Sequence, residues 1–107
     1  MLLFCLSYKL LFAQNGAQTK DQVLLKFKAY YNAGQPDSIF GMFSPETKIS
    51  LPLDRTSAFL NQLKTRFGNL QSFEFTGVQS SFSVYKTQFE KGRLLLQLSF
   101  NEQQQIT

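Results

Sequence analysis

The spacing of apolar residues changes near residue 70. Between residues 20 and 67, apolar side chains recur at the three-to-four-residue spacing of one helix face. From Leu70 onward they alternate with polar residues, which is the pattern of strands with one buried side. This order predicts an α+β fold in which N-terminal helices pack on a curved antiparallel sheet.

The first helix is predicted over about residues 20–33, where apolar positions recur at helical spacing. Thr19 and Gln22 have the spacing of a capping box, in which each side chain satisfies a free backbone N–H group at the helix start. Gly34 is expected to stop the helix because glycine readily adopts the left-handed conformation common at helix ends.

Two short helices and one longer helix are predicted next. We expect Asp37 to cap the first short helix and Ser44 to cap the second, with Pro45 at its first position. The longer helix is predicted over about residues 54–67, because an apolar stripe runs along this segment and Gly68 follows it.

Strands are predicted in the alternating segment at about residues 70–78, 81–90 and 93–100. Lys91-Gly92 predicts a tight hairpin turn, and Asn101-Glu102 predicts a second turn. Residues 103–107 are expected to begin a last strand that the sequence truncates.

Residues 1–14 are largely apolar but shorter than the roughly 20 residues of a membrane-spanning helix. They resemble a signal peptide ending near Ala13 or Gln14, although Lys9 interrupts the apolar run. The alternative is a docked or disordered N-terminal extension. The expected organisation is a signal peptide at 1–14, a linker at 15–18 and one domain at 19–107. The protein is expected to be exported to the periplasm or outside the cell and to have no stable membrane span.

Composition argues against several functional classes. The net charge of +4 comes from basic residues scattered along the chain, which favours a solvated surface over a nucleic-acid interface. The chain has no histidine and a single cysteine, Cys5, so no Cys/His metal site is expected, and we expect no cofactor. Twelve phenylalanines without tryptophan favour a packed core over an exposed binding platform.

No catalytic residue is predicted. Histidine, the commonest general base, is absent from the sequence. The seven acids fall mostly at helix starts, turns and strand edges. Glu74 alternates with the phenylalanines beside it, so it should point away from the buried side. Ser83 and Lys86 match the Ser-x-x-Lys signature of penicillin-recognising hydrolases, but that chemistry needs both residues on one helix face, and here they lie in a predicted strand.

Five segments together resemble a known domain family. Residues 30–40 read Tyr-Tyr-Asn-Ala-Gly-Gln-Pro-Asp-Ser-Ile-Phe, and residues 42–46 read Met-Phe-Ser-Pro-Glu. The segments 51–53, 59–68 and 85–92 follow in a matching order. The chain, over about residues 20–107, resembles exported bacterial domains of unknown function with a nuclear-transport-factor-2-like (cystatin-like) fold.

The resemblance implies a helix-backed cone whose concave sheet face holds a ligand or a partner. Such domains are often found in front of serine β-lactamase-like hydrolases, and the family has no established catalytic residues. The expected function is a non-catalytic accessory or binding module of an exported bacterial protein, such as the N-terminal part of a serine hydrolase. The alternatives are a small-molecule-processing enzyme of the same fold and a homodimerisation module.

The expected partners are a C-terminal hydrolase domain, a second copy of the chain or a small hydrophobic ligand. Seven side chains are predicted to line the concave face, with plain core packing as the alternative for each: Phe27, Tyr31, Phe40, Phe43, Phe59, Phe82 and Leu96.

Overall fold

The computed structural model describes residues 20–107. Four helices precede three strands, as predicted. The helices are α1 (Lys20–Asn32), α2 (Pro36–Phe40), α3 (Pro45–Ser50) and α4 (Leu53–Phe67). The strands are β1 (Leu70–Gln79), β2 (Phe82–Phe89) and β3 (Gly92–Leu98). The predicted signal peptide, the linker, Cys5 and Thr19 of the capping box lie outside the described residues.

Gly34 stops helix α1 as predicted, in the left-handed conformation with a φ of +70°. The Gly34 N–H donates to the Tyr31 carbonyl at 3.1 Å, and the Gln35 N–H donates to the Tyr30 carbonyl at 2.9 Å. These two bonds form a Schellman motif, which satisfies carbonyls left free at the end of a helix.

The caps of the short helices follow the prediction only in part. The Ser44 hydroxyl accepts from the Thr47 N–H at 3.3 Å, which confirms the predicted cap of α3. The prediction for Asp37 was wrong, because α2 begins at Pro36 and Asp37 lies in its first turn. Proline is preorganised for the first helical position, so the helix starts at Pro36, two residues earlier than a cap at Asp37 would place it.

The three strands form one antiparallel sheet in the order β1-β2-β3. Phe89 pairs with Gly92, so the second hairpin turns at Glu90-Lys91 and not at the predicted Lys91-Gly92. Gly92 serves a different purpose, because a β-carbon there would come within 3.3 Å of the Phe67 ring. The glycine therefore makes room for helix α4 above the sheet.

The core lies between the helices and one side of the sheet. Tyr31 of α1 meets Phe89 of β2 edge to face at 5.7 Å between ring centroids, and Phe67 of α4 packs on the same Phe89 ring at 6.0 Å. Aromatic pairs at such separations add to the free energy gained from burial. The buried cluster comprises Val23, Phe27, Tyr31, Ile39, Phe43, Leu60, Leu70, Phe89 and Ile106.

The segment after β3 folds back on the sheet. The Asn101 side-chain carbonyl accepts from the N–H groups of Gln103 and Gln105, at 3.0 and 2.9 Å, which confirms the predicted turn. Ile106 then forms isolated bridges with Phe43 and Phe100. Residue 106 is thereby joined to the loop between α2 and α3.

Asn32, the last residue of α1, bonds the backbone of β1 through both ends of its amide. Its Nδ2 donates to the Leu70 carbonyl at 2.9 Å, and its Oδ1 accepts from the Leu70 N–H at 2.8 Å. The amide thus replaces the hydrogen bonds that a neighbouring strand would supply to the first residue of the sheet.

We expect Asn32→Ala to lower the free energy of unfolding by about 2 kcal/mol, because it removes two hydrogen bonds worth about 1 kcal/mol each. Urea unfolding followed by circular dichroism measures the change. Asn61→Ala, on the exposed side of α4, is the matched control and should change stability by less than about 0.5 kcal/mol. Equal effects of the two substitutions would contradict the role assigned to Asn32.

A second prediction concerns the turn between β1 and β2. Ser80 and Ser81 both have positive φ, at 49° and 73°, which costs a non-glycine residue about 1 kcal/mol or more. Replacing them with Asn-Gly, the pair preferred in such two-residue turns, should stabilise the domain by about 1 kcal/mol. Thermal and urea unfolding test this. Ser57→Gly inside α4 is the control and should destabilise, and a loss of stability in the turn variant would refute the expectation.

Candidate functional site

A cavity of about 360 Å³ lies between the helices and the helix-facing side of β2 and β3. Helices α1 and α4 contribute Phe27 and Phe59, and the sheet contributes Phe89 and the β3 leucines. Five consecutive residues of β3 line the cavity: Leu94, Leu95, Leu96, Gln97 and Leu98. Because residues from both sides of β3 contribute, the cavity opens beside the outer edge of this strand.

The lining is almost entirely apolar. Two of its hydroxyl groups are bonded to the backbone: Thr87 Oγ1 donates to the Leu94 carbonyl at 2.8 Å, and Thr56 Oγ1 donates to the Leu51 carbonyl at 3.3 Å. Among the described residues that line the cavity, none has an acidic or basic side chain. The surface therefore offers hydrophobic contact and no side-chain charge.

The structure brings four of the seven predicted lining residues together around this cavity: Phe27, Phe43, Phe59 and Leu96. Phe59 lies at the rim and is 60% exposed, whereas Phe27 and Phe43 are buried. The rim position follows from the helix, since Phe59 precedes the buried Leu60 and turns away from the core.

Two of the other predicted residues lie apart from the cavity. Phe40 packs edge-on against Phe43 at 5.8 Å, and Lys48 Nζ lies 5.7 Å above the Phe40 ring. Phe82 begins β2 beside the first hairpin turn and is 42% exposed. Neither side chain contributes to the cavity lining.

Tyr31, the remaining predicted residue, is part of the packed core. Its ring stacks on Phe27 at 6.0 Å between centroids, and its hydroxyl donates to the Gly68 carbonyl at 2.8 Å. Burial raises the pKa of Tyr31 to about 12, since the phenolate would lose its hydration. The hydroxyl links α1 to the chain between α4 and β1.

The opposite side of the sheet is a shallow polar surface. Glu74 is exposed there and lies directly across from Lys86 in the β1–β2 register. Ser83 is buried while Lys86 is exposed, so the two residues of the Ser-x-x-Lys match face opposite ways, as predicted. The strand therefore separates two side chains that the hydrolase chemistry needs on one helix face.

Within residues 20–107, no three acids, cysteines or histidines lie close enough together to hold a metal ion. Within the same range, no helix combines the length and apolar character needed to cross a membrane.

The chain matches the profile of a family described as Protein of unknown function (DUF3887) over residues 25–107. The chain belongs to this family. The matched range takes in nearly all of α1, the remaining helices and the whole sheet, and therefore every element that lines the cavity. A search of curated proteins and a search of solved structures found no match.

In this member of the family, the sequence prediction missed several cavity residues. Leu94, Leu96 and Leu98 are two residues apart, so the period of a strand places all three on one side of β3. This spacing in the sequence could have identified Leu94 and Leu98 once Leu96 was chosen. Ile106 also lines the cavity, yet nothing local predicts it, because its position depends on pairing with Phe43.

The pKa of Tyr31 gives a testable pH dependence. Below about pH 10 the tyrosine is neutral in both states, and its contribution to stability is complete. Between about pH 10 and pH 12 the unfolded chain loses the proton first, so stability should fall. Urea unfolding at pH 9, 10 and 11 should show a smaller alkaline loss in Tyr31→Phe than in the unaltered chain.

Tyr30→Phe is the matched control for this experiment, because Tyr30 neighbours Tyr31 in α1 and is only partly buried. It controls for the general effect of replacing one tyrosine of α1 with phenylalanine. If Tyr31→Phe lost stability just as steeply, the titration would not originate from this hydroxyl.

Proposed function

We propose that this domain is a non-catalytic binding module whose apolar cavity holds a hydrophobic guest. The observation that carries the proposal is an apolar cavity of about 360 Å³ that opens at the surface. Ligand sites are commonly apolar clefts of about 300–1,000 Å³. Phe59 and Leu95 at the opening are exposed, so a guest would also cover apolar surface outside the cavity.

The non-catalytic part of the proposal is supported by the chemistry of the lining. General acid–base catalysis needs an ionisable group within hydrogen-bond reach of the substrate. The described lining has hydroxyl groups but no ionisable side chain, and the Thr56 and Thr87 hydroxyls already donate to backbone carbonyls. The buried Tyr31 hydroxyl donates to Gly68 in the same way.

We propose in addition that the domain is a cystatin-like cone and serves as an accessory part of an exported protein with a serine hydrolase as neighbour. The segments at residues 30–40 and 85–92, which resemble such domains, support this assignment. The helix-backed antiparallel sheet is compatible with it. Sequencing the gene downstream of Thr107 tests the neighbour: an authentic Ser-x-x-Lys hydrolase supports it, and an early stop codon refutes it.

Binding of the fluorescent probe N-phenyl-1-naphthylamine tests the cavity directly. We expect the chain to bind the probe, and Phe59→Ala to weaken binding about tenfold, because loss of an aromatic contact of about 1.4 kcal/mol changes affinity tenfold. Phe82→Ala is the matched control, since Phe82 is also partly exposed but lies outside the lining. Its affinity should stay within about twofold of the unaltered chain.

A second pair of variants separates loss of contact from loss of space. Leu96→Trp fills the cavity from its floor and should abolish probe binding, whereas Leu25→Trp adds the same ring on an exposed part of α1 and should leave binding unchanged. Absence of probe binding by the unaltered chain, or equal losses in each pair, would refute the proposed cavity site.

A further inference from the structure

The cavity is an elongated slot between helix α4 and strand β3. On the helix, its lining residues have the spacing of a single helix face: Thr56, Phe59, Leu60 and Leu63. On the sheet, the slot follows β3 from Leu94 to Leu98. The helical segment from Thr56 to Leu63 extends about 10 Å, and the strand segment about 13 Å. The slot is therefore about 12 Å long.

Contacts at both ends hold the walls of the slot in place. At one end Phe67 of α4 lies so close to Gly92 that a β-carbon there would come within 3.3 Å of its ring. At the other end the Ser44 N–H donates to the Ile106 carbonyl at 2.9 Å, which joins the start of α3 to the segment after β3. A strand added beside β3 would lie in the plane of the sheet, about 4.8 Å to one side. The slot lies above that plane, so its walls do not depend on whether this edge of the sheet is open.

The slot is narrow for its length. A volume of about 360 Å³ over a length of about 12 Å gives a mean cross-section of about 30 Å². Non-bonded carbon atoms pack about 4 Å apart, so one extended alkyl chain occupies a cross-section of roughly 20 Å². Two chains side by side need roughly 40 Å² and do not fit. The dimensions favour one chain over a paired-chain lipid or a compact ring system.

The walls favour aliphatic contact over ring stacking. The wall formed by β3 carries leucines, with Leu94 and Leu96 half-buried at the slot. Two of the lining rings already have aromatic partners in the core, because Phe27 stacks on Tyr31 and Phe89 meets the same Tyr31 ring edge to face. A guest therefore meets mainly aliphatic side chains and rings that are already packed.

The exposed rim of the slot is apolar. Phe59 and Leu51 both line the slot, and they are 60% and 36% exposed. The described lining has no acidic or basic side chain, so nothing inside the slot compensates the loss of hydration of a charged group. The polar end of a guest should therefore remain in water beyond the rim.

We propose that the slot binds the unbranched alkyl chain of a single-chain amphiphile and leaves the polar end of that molecule in solvent. This inference rests on the proposed function and identifies the chemical class of the hydrophobic guest. An extended chain advances about 1.25 Å per carbon, from a C–C bond of about 1.5 Å, so about ten carbons fill the slot.

A series of n-alkan-1-ols tests the length of the slot. We expect them to displace N-phenyl-1-naphthylamine, whose flat rings can enter a narrow space, with affinity rising about fourfold for each CH₂ group from hexanol to decanol. The gain should stop near ten carbons, so dodecanol should bind within about twofold of decanol.

Two alcohols with the same ten carbons are the matched controls for decan-1-ol. The cage compound 1-adamantanol tests the width of the slot, and 2-naphthol tests stacking. Each affinity is divided by the octanol–water partition coefficient of the compound, which removes differences in hydrophobicity. After this correction, decanol should bind at least about tenfold more tightly than either control, a difference of about 1.4 kcal/mol.

A pair of variants tests the slot from the protein side. Leu63 lines the slot one helical turn before Phe67, so Leu63→Trp should fill that end and shorten the slot. Decanol should then bind at least about tenfold more weakly, while hexanol should stay within about threefold of its affinity for the unaltered chain. Leu25→Trp, on an exposed part of α1, should change neither affinity. If Leu63→Trp does not fold, as judged by circular dichroism, the three ten-carbon alcohols still decide the question.

The possible failures are distinguishable. Probe binding without displacement by decanol, or with no dependence on chain length, overturns the alkyl-chain proposal but leaves the cavity site standing. Corrected affinities for 1-adamantanol or 2-naphthol that equal that of decanol overturn it as well, and assign the slot to a compact or a flat guest. Failure of the unaltered chain to bind the probe or any alcohol overturns the proposed function itself.

Discussion

The fold depends on how the end of α1 is joined to the start of the sheet. The Asn32 amide bonds both backbone groups of Leu70, and Lys64 Nζ from α4 donates to the Asn32 carbonyl at 2.8 Å. A cation there also suits the negative end of the α1 dipole. With Tyr31 bonded to Gly68, two consecutive residues of α1 fix the position of both α4 and β1. The cavity exists because this junction holds the helices over one end of the sheet and leaves the β3 side open.

Much of this architecture could be predicted from spacing alone. The change from helical to alternating periodicity located the two longer helices and the three strands, because each of these elements has a buried side that repeats at its own period. The two short helices were predicted from the serine, aspartate and proline residues near their starts. The cap at Ser44 and the helix stop at Gly34 could also be predicted, because each involves only residues close together in the sequence. The second hairpin turn was misplaced by one residue because Gly92 resembles a turn glycine, whereas its role is to accommodate Phe67. That contact joins distant segments and leaves no local signal.

The candidate site was less predictable than the fold. The prediction favoured aromatic residues, but a buried side chain does not necessarily line a cavity. Tyr31 is buried in the core, whereas Leu94 and Leu98, which are not aromatic, line the cavity. Alternation indicates which side of a strand a residue occupies but not whether a helix covers that point. Whether a side chain fills the core or borders a space depends on the helix above it, and that geometry is set by the Asn32 junction.

The bridges made by Ile106 have a consequence for synthesis of the protein. Its N–H donates to the Met42 carbonyl and its own carbonyl accepts from Ser44, so the side chain that completes the buried cluster comes from the far end of the domain. The helices and hairpins are local and can form as they leave the ribosome. The buried cluster, however, is complete only when residue 106 has emerged, after every helix and strand of the domain has been synthesised.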